Sequence, residues 1–200
     1  MDLPKEFLTA NEFTKKWEKG YVNHPKDPGG ATYNGLCLRL VKDLRMDLNG
    51  DGVIDARDIQ WLRDNQRQDI VDEVFFKQFW CDPHVDTLLD VKLMTVVYDC
   101  NVNCGVSRSV KCLQSALNKF SKYPLVVDGK RGKKTDAVIK NMFDSGMIFI
   151  LAENTLYQRI TFHKNLADRS PFPDGRDYRP FIKGWLNRCN DLLYYIRRMA

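Results

Sequence analysis

Between Val85 and Val102 the chain is apolar almost all round a helical period, broken by Asp86, Asp90, Lys92 and Asp99. A helix that is apolar on every side has no face to give to water, so other helices must enclose it. The interrupting charges rule it out as a membrane span and leave a central buried helix. This segment demands a fold in several layers, and the rest of the chain supplies them. Pro4 suits a first helical turn, and Phe7, Ala10, Phe13 and Trp17 then recur at helical spacing up to Gly20. Residues 68–80 place Val71, Val74, Phe75 and Phe79 on one face. Further helices are expected at 107–120, 134–145, 148–165 and 180–198, with a Pro/Gly-rich surface loop at 170–180. No stretch shows sustained alternation beyond a short hairpin around the glycine-rich loop at 21–35. The class is mainly α, a helical bundle around a central buried helix, with no internal repeat.

Two hundred residues suffice for one domain or two small ones, and 44% apolar with 12% aromatic residues argue against disorder. The net charge of +5 comes without a dense Lys/Arg run. It hints at an anionic partner without pointing to nucleic acid, and a wall polymer or plain solubility fits it equally well. The six cysteines, Cys37, Cys81, Cys100, Cys104, Cys112 and Cys189, form no CxxC pair, so free thiols are expected in place of a zinc site. Cys100 and Cys104 fall one helical turn apart, a poor disulfide geometry. The N-terminus has no basic segment followed by an apolar run, so no secretory signal is expected.

The most specific local motif is "DLNGDGVIDARD", residues 47–58. Asp47, Asn49, Asp51, Asp55 and Asp58 fall at positions 1, 3, 5, 9 and 12 of a helix–loop–helix calcium loop, with Gly52 at the sharp turn and the Val53 carbonyl at position 7. A hard cation needs many oxygens on a short bent segment, and this spacing provides them. Asp58 is shorter than the usual glutamate. The expected cofactor is Ca2+, in a role that braces local structure, with Leu40, Val41 and Leu44 before the loop and Ile59, Trp61 and Leu62 after it on flanking helices.

"WEKGYVNHPKDPGGATYNG", residues 17–35, puts Glu18 at a helix end. The negative pole of the helix and the rings of Trp17 and Tyr21 disfavour charge there, the environment that a general acid for glycosidic cleavage requires. On these grounds alone a solvated surface glutamate is the simpler reading. His24 reads as a solvent-exposed bystander, and Gly29, Gly30 and Gly35 as backbone needs of a folded loop.

The run "EKGYVNHPKDPGGATYNGL" resembles the signature of glycoside hydrolase family 108, endolysins of phage and bacteria with N-acetylmuramidase activity. "FFKQFW" at 75–80, "YDCNVNCG" at 98–105, "CLQSALN" at 112–118, "VDGKRGKKTDAVI" at 127–139 and "FIKGWLNRCNDL" at 181–192 resemble later family segments in the same order. The resemblance implies a lysozyme-like fold, with Glu18 as the catalytic acid. It divides the chain into a muramidase region at 1–105 and a C-terminal peptidoglycan-binding region at 106–200, co-folded with the first. Lys19 stands where the family has glycine, the loop motif at 43–62 is an insertion, and residues 128–136 lack a usual proline.

Asp27 is the candidate second carboxylate, equally readable as a turn residue before Pro28. Thr32 is a candidate to orient water or substrate, Tyr21 and Tyr33 to stack on sugar, and Asp99 and Asn103 to line the cleft or form a satisfied polar pair. The implied activity is hydrolysis of the β-1,4 bond between N-acetylmuramic acid and N-acetylglucosamine in bacterial peptidoglycan. The protein is expected to be a monomer, held in the host cytoplasm until it reaches the wall and not inserted in a membrane. A lytic transglycosylase on the same bond, needing one carboxyl only, and a non-catalytic calcium-dependent wall-binding protein are the other functions this sequence allows.

Overall fold

The computed structural model describes residues 2–23 and 30–199. The chain divides into two units, Thr14–Lys77 and Asp2–Phe13 with Gln78–Ala200. This division differs from the break expected at residue 105. The first helix, α1 (Lys5–Trp17), crosses from one unit to the other, as does a wide helical turn at Phe76–Cys81.

After α1, the smaller unit holds a three-stranded antiparallel sheet of β1 (Tyr21–Val22), β2 (Thr32–Tyr33) and β3 (Leu36–Cys37). Tyr21 pairs with Tyr33 and Tyr33 with Leu36. The β2–β3 connection is the dipeptide Asn34-Gly35 with φ of 47° and 87°. Both residues lie in the left-handed region that a two-residue hairpin requires, which is why Asn-Gly is its commonest sequence. Helices α2 (Leu38–Asp43), α3 (Ala56–Asp64) and α4 (Gln68–Phe75) follow. Leu36, Val41, Ile59, Leu62 and Val71 form the buried interior of this unit.

The larger unit is built on α5 (Val91–Cys104), the expected central helix, with every side chain from Leu93 to Asn101 buried. It starts later than the apolar pattern suggests. Leu89 takes φ of 67°, and the Asp90 carboxylate caps the helix by accepting the Lys92 and Leu93 N–H groups at 2.8 and 3.0 Å. Around it stand α6 (Val106–Leu117), α8 (Ile148–Asp168) and α9 (Ile182–Arg198), with α7 (Lys133–Asp144) packed on α6 and α8. The N-terminal half of α1 adds Phe7, whose ring meets Trp80 and Tyr98 edge-on at 5.5 and 5.4 Å between centroids. The Tyr98 hydroxyl donates to Asn11 Oδ1 at 2.8 Å. The architecture is mainly α, as the apolar periodicities require. No described helix is long and apolar enough to cross a membrane, and all six cysteines are free thiols.

Candidate active site

Glu18 is the first residue beyond α1, its N–H still bonded to the Thr14 carbonyl at 3.1 Å. It therefore leaves the helix at the carbonyl end, half-buried. The hairpin supports it from below. A Cβ placed on Gly35 would lie 2.9 Å from Glu18 Cβ, 3.1 Å from Glu18 Oε2 and 2.9 Å from Phe75 Cζ. Only a residue without a side chain lets the carboxyl seat there, and φ of 87° asks for glycine independently.

Glu18 lines a cleft of about 370 Å³ with Lys15, Lys19, Gly20, Asn34 and Gln68. Its polar groups are held by one another. Asn34 Oδ1 accepts the Gly20 N–H at 2.8 Å, Asn34 Nδ2 donates to Gln68 Oε1 at 2.7 Å, and Gln68 Nε2 donates to Asp72 Oδ1 at 2.9 Å. Lys15 Nζ closes the chain on Asp72 Oδ2 at 2.5 Å. The result is a fixed polar lining beside one carboxyl, set in partly buried surroundings where hydrogen bonds are strong. The sequence reading missed Asn34, Gln68 and Asp72. The Asn-Gly turn signal would have found the first, whereas no local pattern marks the other two.

Thr32 lies on β2, and its hydroxyl donates to the Gly30 carbonyl at 3.2 Å. Tyr21 and Tyr33 pair across the sheet on one face, both half-buried. One face of the Tyr21 ring is covered by the Arg63 guanidinium at 4.4 Å, and its hydroxyl is buried without a hydrogen-bond partner among the described residues. That face is closed to a sugar. Asp27, His24 and Gly29 lie outside the described residues.

Asp99 does not line a cleft. It is fully buried on α5, where it binds Arg159 Nη1 at 2.6 Å and Arg188 Nη2 at 2.8 Å, tying α5 to α8 and α9. Burial opposes its charge, but the two guanidinium groups outweigh burial and hold the carboxyl down at about 2. Asn103 accepts from Arg159 Nη2 at 2.9 Å and belongs to the same network. The expected cleft pair is an internal ion cluster, legible only with α8 and α9 in place. His163, 2% exposed, stacks on Trp185 at 4.6 Å and stands beside Arg159; burial first, then that cation, pushes it down to about 4.

In the 47–58 loop the donors are hard oxygens of the right kind, and Gly52 turns with φ of 83°. The Asp47 oxygens accept the Gly50 and Gly52 N–H groups, both at 2.8 Å. Asp51 pairs with Arg57 at 2.7 Å, and Asp55 caps α3. Asp58 is buried, with Oδ1 accepting Leu48 N–H at 2.7 Å and Oδ2 accepting Asp55 N–H at 2.8 Å. Among the described residues no three His, Cys, Asp or Glu side chains converge as a metal cage. Asp51 and Asp55 both pair with Arg57, and Asp58 accepts amides of the bend on both of its oxygens.

Residues 11–105 match the family model for Glycosyl hydrolase 108. Among solved structures, the chain is similar to one titled "Structure of Brucella abortus SagA", with a TM-score of 0.72 and 24% identity over 97% of each chain. The likeness establishes a shared fold along nearly the whole length. No curated protein matches the chain.

Proposed function

We propose that the protein is a peptidoglycan-degrading glycoside hydrolase acting on the β-1,4 bond between N-acetylmuramic acid and N-acetylglucosamine, with Glu18 as general acid. The observation that carries this is Glu18 seated against Gly35 in a polar cleft, within the segment that matches Glycosyl hydrolase 108. Cleavage needs a proton delivered to the leaving oxygen by a carboxyl held still, and Gly35 and the end of α1 hold it. Asn34 and Gln68 are amides of the kind that orient sugar hydroxyl and acetamido groups, and Thr32 and Tyr33 stand on the adjoining strand. Asp27 is the proposed second carboxylate. Inversion would set it about 6.5–9.5 Å from Glu18 and retention about 5 Å.

Calcium binding at Asp47, Asn49, Asp51, the Val53 carbonyl, Asp55 and Asp58 belongs to this proposal as a brace for the inserted loop. Its support is the donor spacing and the turn at Gly52. The proposed setting is a phage-type endolysin that reaches the wall from the host cytoplasm and acts as a monomer.

The test is mass spectrometry of peptidoglycan digested by wild type and by Glu18→Gln. Reducing muramic ends from wild type and none from the variant are expected. Anhydro-muramyl ends would instead establish a transglycosylase, in which a substrate hydroxyl displaces the leaving group and one carboxyl serves as acid and base.

A further inference from the structure

Hydrogen bonds have a direction, and beside Glu18 the directions are set from both ends of a chain of side chains. At one end stands a backbone amide. Gly20, two residues past Glu18, donates its N–H to Asn34 Oδ1 at 2.8 Å and accepts the Asn34 N–H on its carbonyl at 2.9 Å. A backbone N–H can only donate, so the Asn34 amide must turn its oxygen to Gly20 and its nitrogen away. That nitrogen meets Gln68 Oε1 at 2.7 Å, which leaves the Gln68 nitrogen facing Asp72 Oδ1 at 2.9 Å. At the other end Asp72 is a carboxylate paired with Lys15 at 2.5 Å, and a carboxylate can only accept. Both ends demand the same orientation of the two amides. Turning either over would set oxygen against oxygen and N–H against N–H, so the pair is locked.

The lock decides what the cleft can offer a ligand. Asn34 and Gln68 both line it, half-buried, while Asp72 is bonded behind them. Each amide oxygen already accepts a short bond. Each amide nitrogen gives one hydrogen to this chain and keeps the other without an acceptor among the described residues. An unmet N–H in half-buried surroundings is costlier than a spare lone pair on a carbonyl. A sugar hydroxyl would bring a hydrogen of its own, and the oxygens of this pair are engaged. A carbonyl brings lone pairs alone, two of them, and so answers two adjoining donors.

We propose that Asn34 and Gln68 select the substrate by its acetamido group, each giving its remaining N–H to the acetamido carbonyl. The cleft then tells an N-acetylated β-1,4 glycan from the same chain carrying hydroxyls. A site built around such a bond rejects the analogue that cannot make it, because its own donors are left unpaired. That a β-1,4 glycan enters the cleft rests on the proposed glycosidase activity, whereas the discrimination belongs to these two side chains.

The test is titration calorimetry of two soluble hexasaccharides with the full chain carrying Glu18→Gln. Chitohexaose is a chain of N-acetylglucosamine, and cellohexaose has the same β-1,4 linkage with a hydroxyl in place of each acetamido group. Both are uncharged, so Lys15 and Lys19 in the lining cannot separate them by charge. Chitohexaose should bind about tenfold more tightly, the effect of two neutral hydrogen bonds. Adding Asn34→Gly removes one amide and keeps the turn, since glycine takes φ of 47° freely. It should bring chitohexaose to within about twofold of cellohexaose and leave cellohexaose where it was. Gln68→Met, which keeps the length of the side chain, should do the same from α4. Damage to the fold would weaken both sugars together, so the ratio of affinities is the reading. Equal affinity for the two sugars before either change, binding of neither, or variants that weaken both alike or preserve the ratio would overturn the proposal. No glycosidic bond is broken in this assay, so its failure leaves Glu18 as the acid. A Glu18→Gln protein that still cleaves peptidoglycan would leave the selectivity standing.

Discussion

Replacing Gly35 with alanine tests how the fold seats Glu18. The added methyl would sit 2.9 Å from Glu18 Cβ and from Phe75 Cζ, and 3.1 Å from Glu18 Oε2. Phe75 is 3% exposed and cannot swing into solvent, so the Glu18 side chain must give way. Two costs follow: about 1–2 kcal/mol for a Cβ at φ of 87°, and about 1–3 kcal/mol for overpacking. The sum of about 2–5 kcal/mol corresponds to a melting point lower by about 4–20 °C for a chain of this size. A carboxyl displaced by about 1 Å should lose on the order of a hundredfold in rate. Gly146→Ala separates the terms, since Gly146 has φ of 68° and nothing within 4 Å of the new methyl. It should lose about 1–2 kcal/mol and keep its activity. Thermal melts and the rate of peptidoglycan solubilisation read both variants. If Gly35→Ala matched Gly146→Ala in both, the account of Glu18 placement would be wrong.

Asp99→Asn should cost about 3–5 kcal/mol by leaving two buried guanidinium groups without their anion, seen as a lower melting temperature. Because Asp99 is held at about 2 when folded, against about 3.9 when unfolded, its contribution is complete above pH 4. It is lost as pH falls through 2, and the Asp99→Asn substitution should flatten that part of an acid titration of stability. His163 has the opposite charge type but the same direction. Held at about 4 and buried neutral, it binds its proton more readily unfolded, so stability should decline as pH falls from 6.5 towards 4. His163→Gln should lessen that decline, read by denaturant midpoints across the range. Millimolar calcium should raise the melting temperature of wild type but not of Asp47→Ala with Asp51→Ala; identical curves would dismiss the loop as a metal site.

Much of the fold is legible in the sequence because each helix writes its own apolar stripe. Phe7, Ala10 and Phe13 mark α1, and the nearly unbroken apolar run to Val102 marks α5 as central. The boundary at Asp90 is harder, since Leu89 turns to a positive φ with no glycine to announce it. The candidate site divides along the same line. Glu18 is marked by local sequence, by its place at the end of α1 before a turn-rich loop. Gln68 reaches the cleft from α4 with Asp72 bonded behind it, and Asp99 is paired within the larger unit by arginines 60 and 89 residues away. Such pairings depend on how helices meet, which a periodic pattern does not encode. The calcium motif shows the converse limit. Its spacing fits a helix–loop–helix site, yet the same carboxylates also satisfy the amides of the bend they stand on.

The most direct test of the central claim is the muropeptide spectrum of purified peptidoglycan after digestion by wild type and Glu18→Gln, with both proteins matched for melting temperature. The account predicts cleavage between N-acetylmuramic acid and N-acetylglucosamine by wild type, and none by the variant. Undiminished release of the same fragments by Glu18→Gln would contradict it.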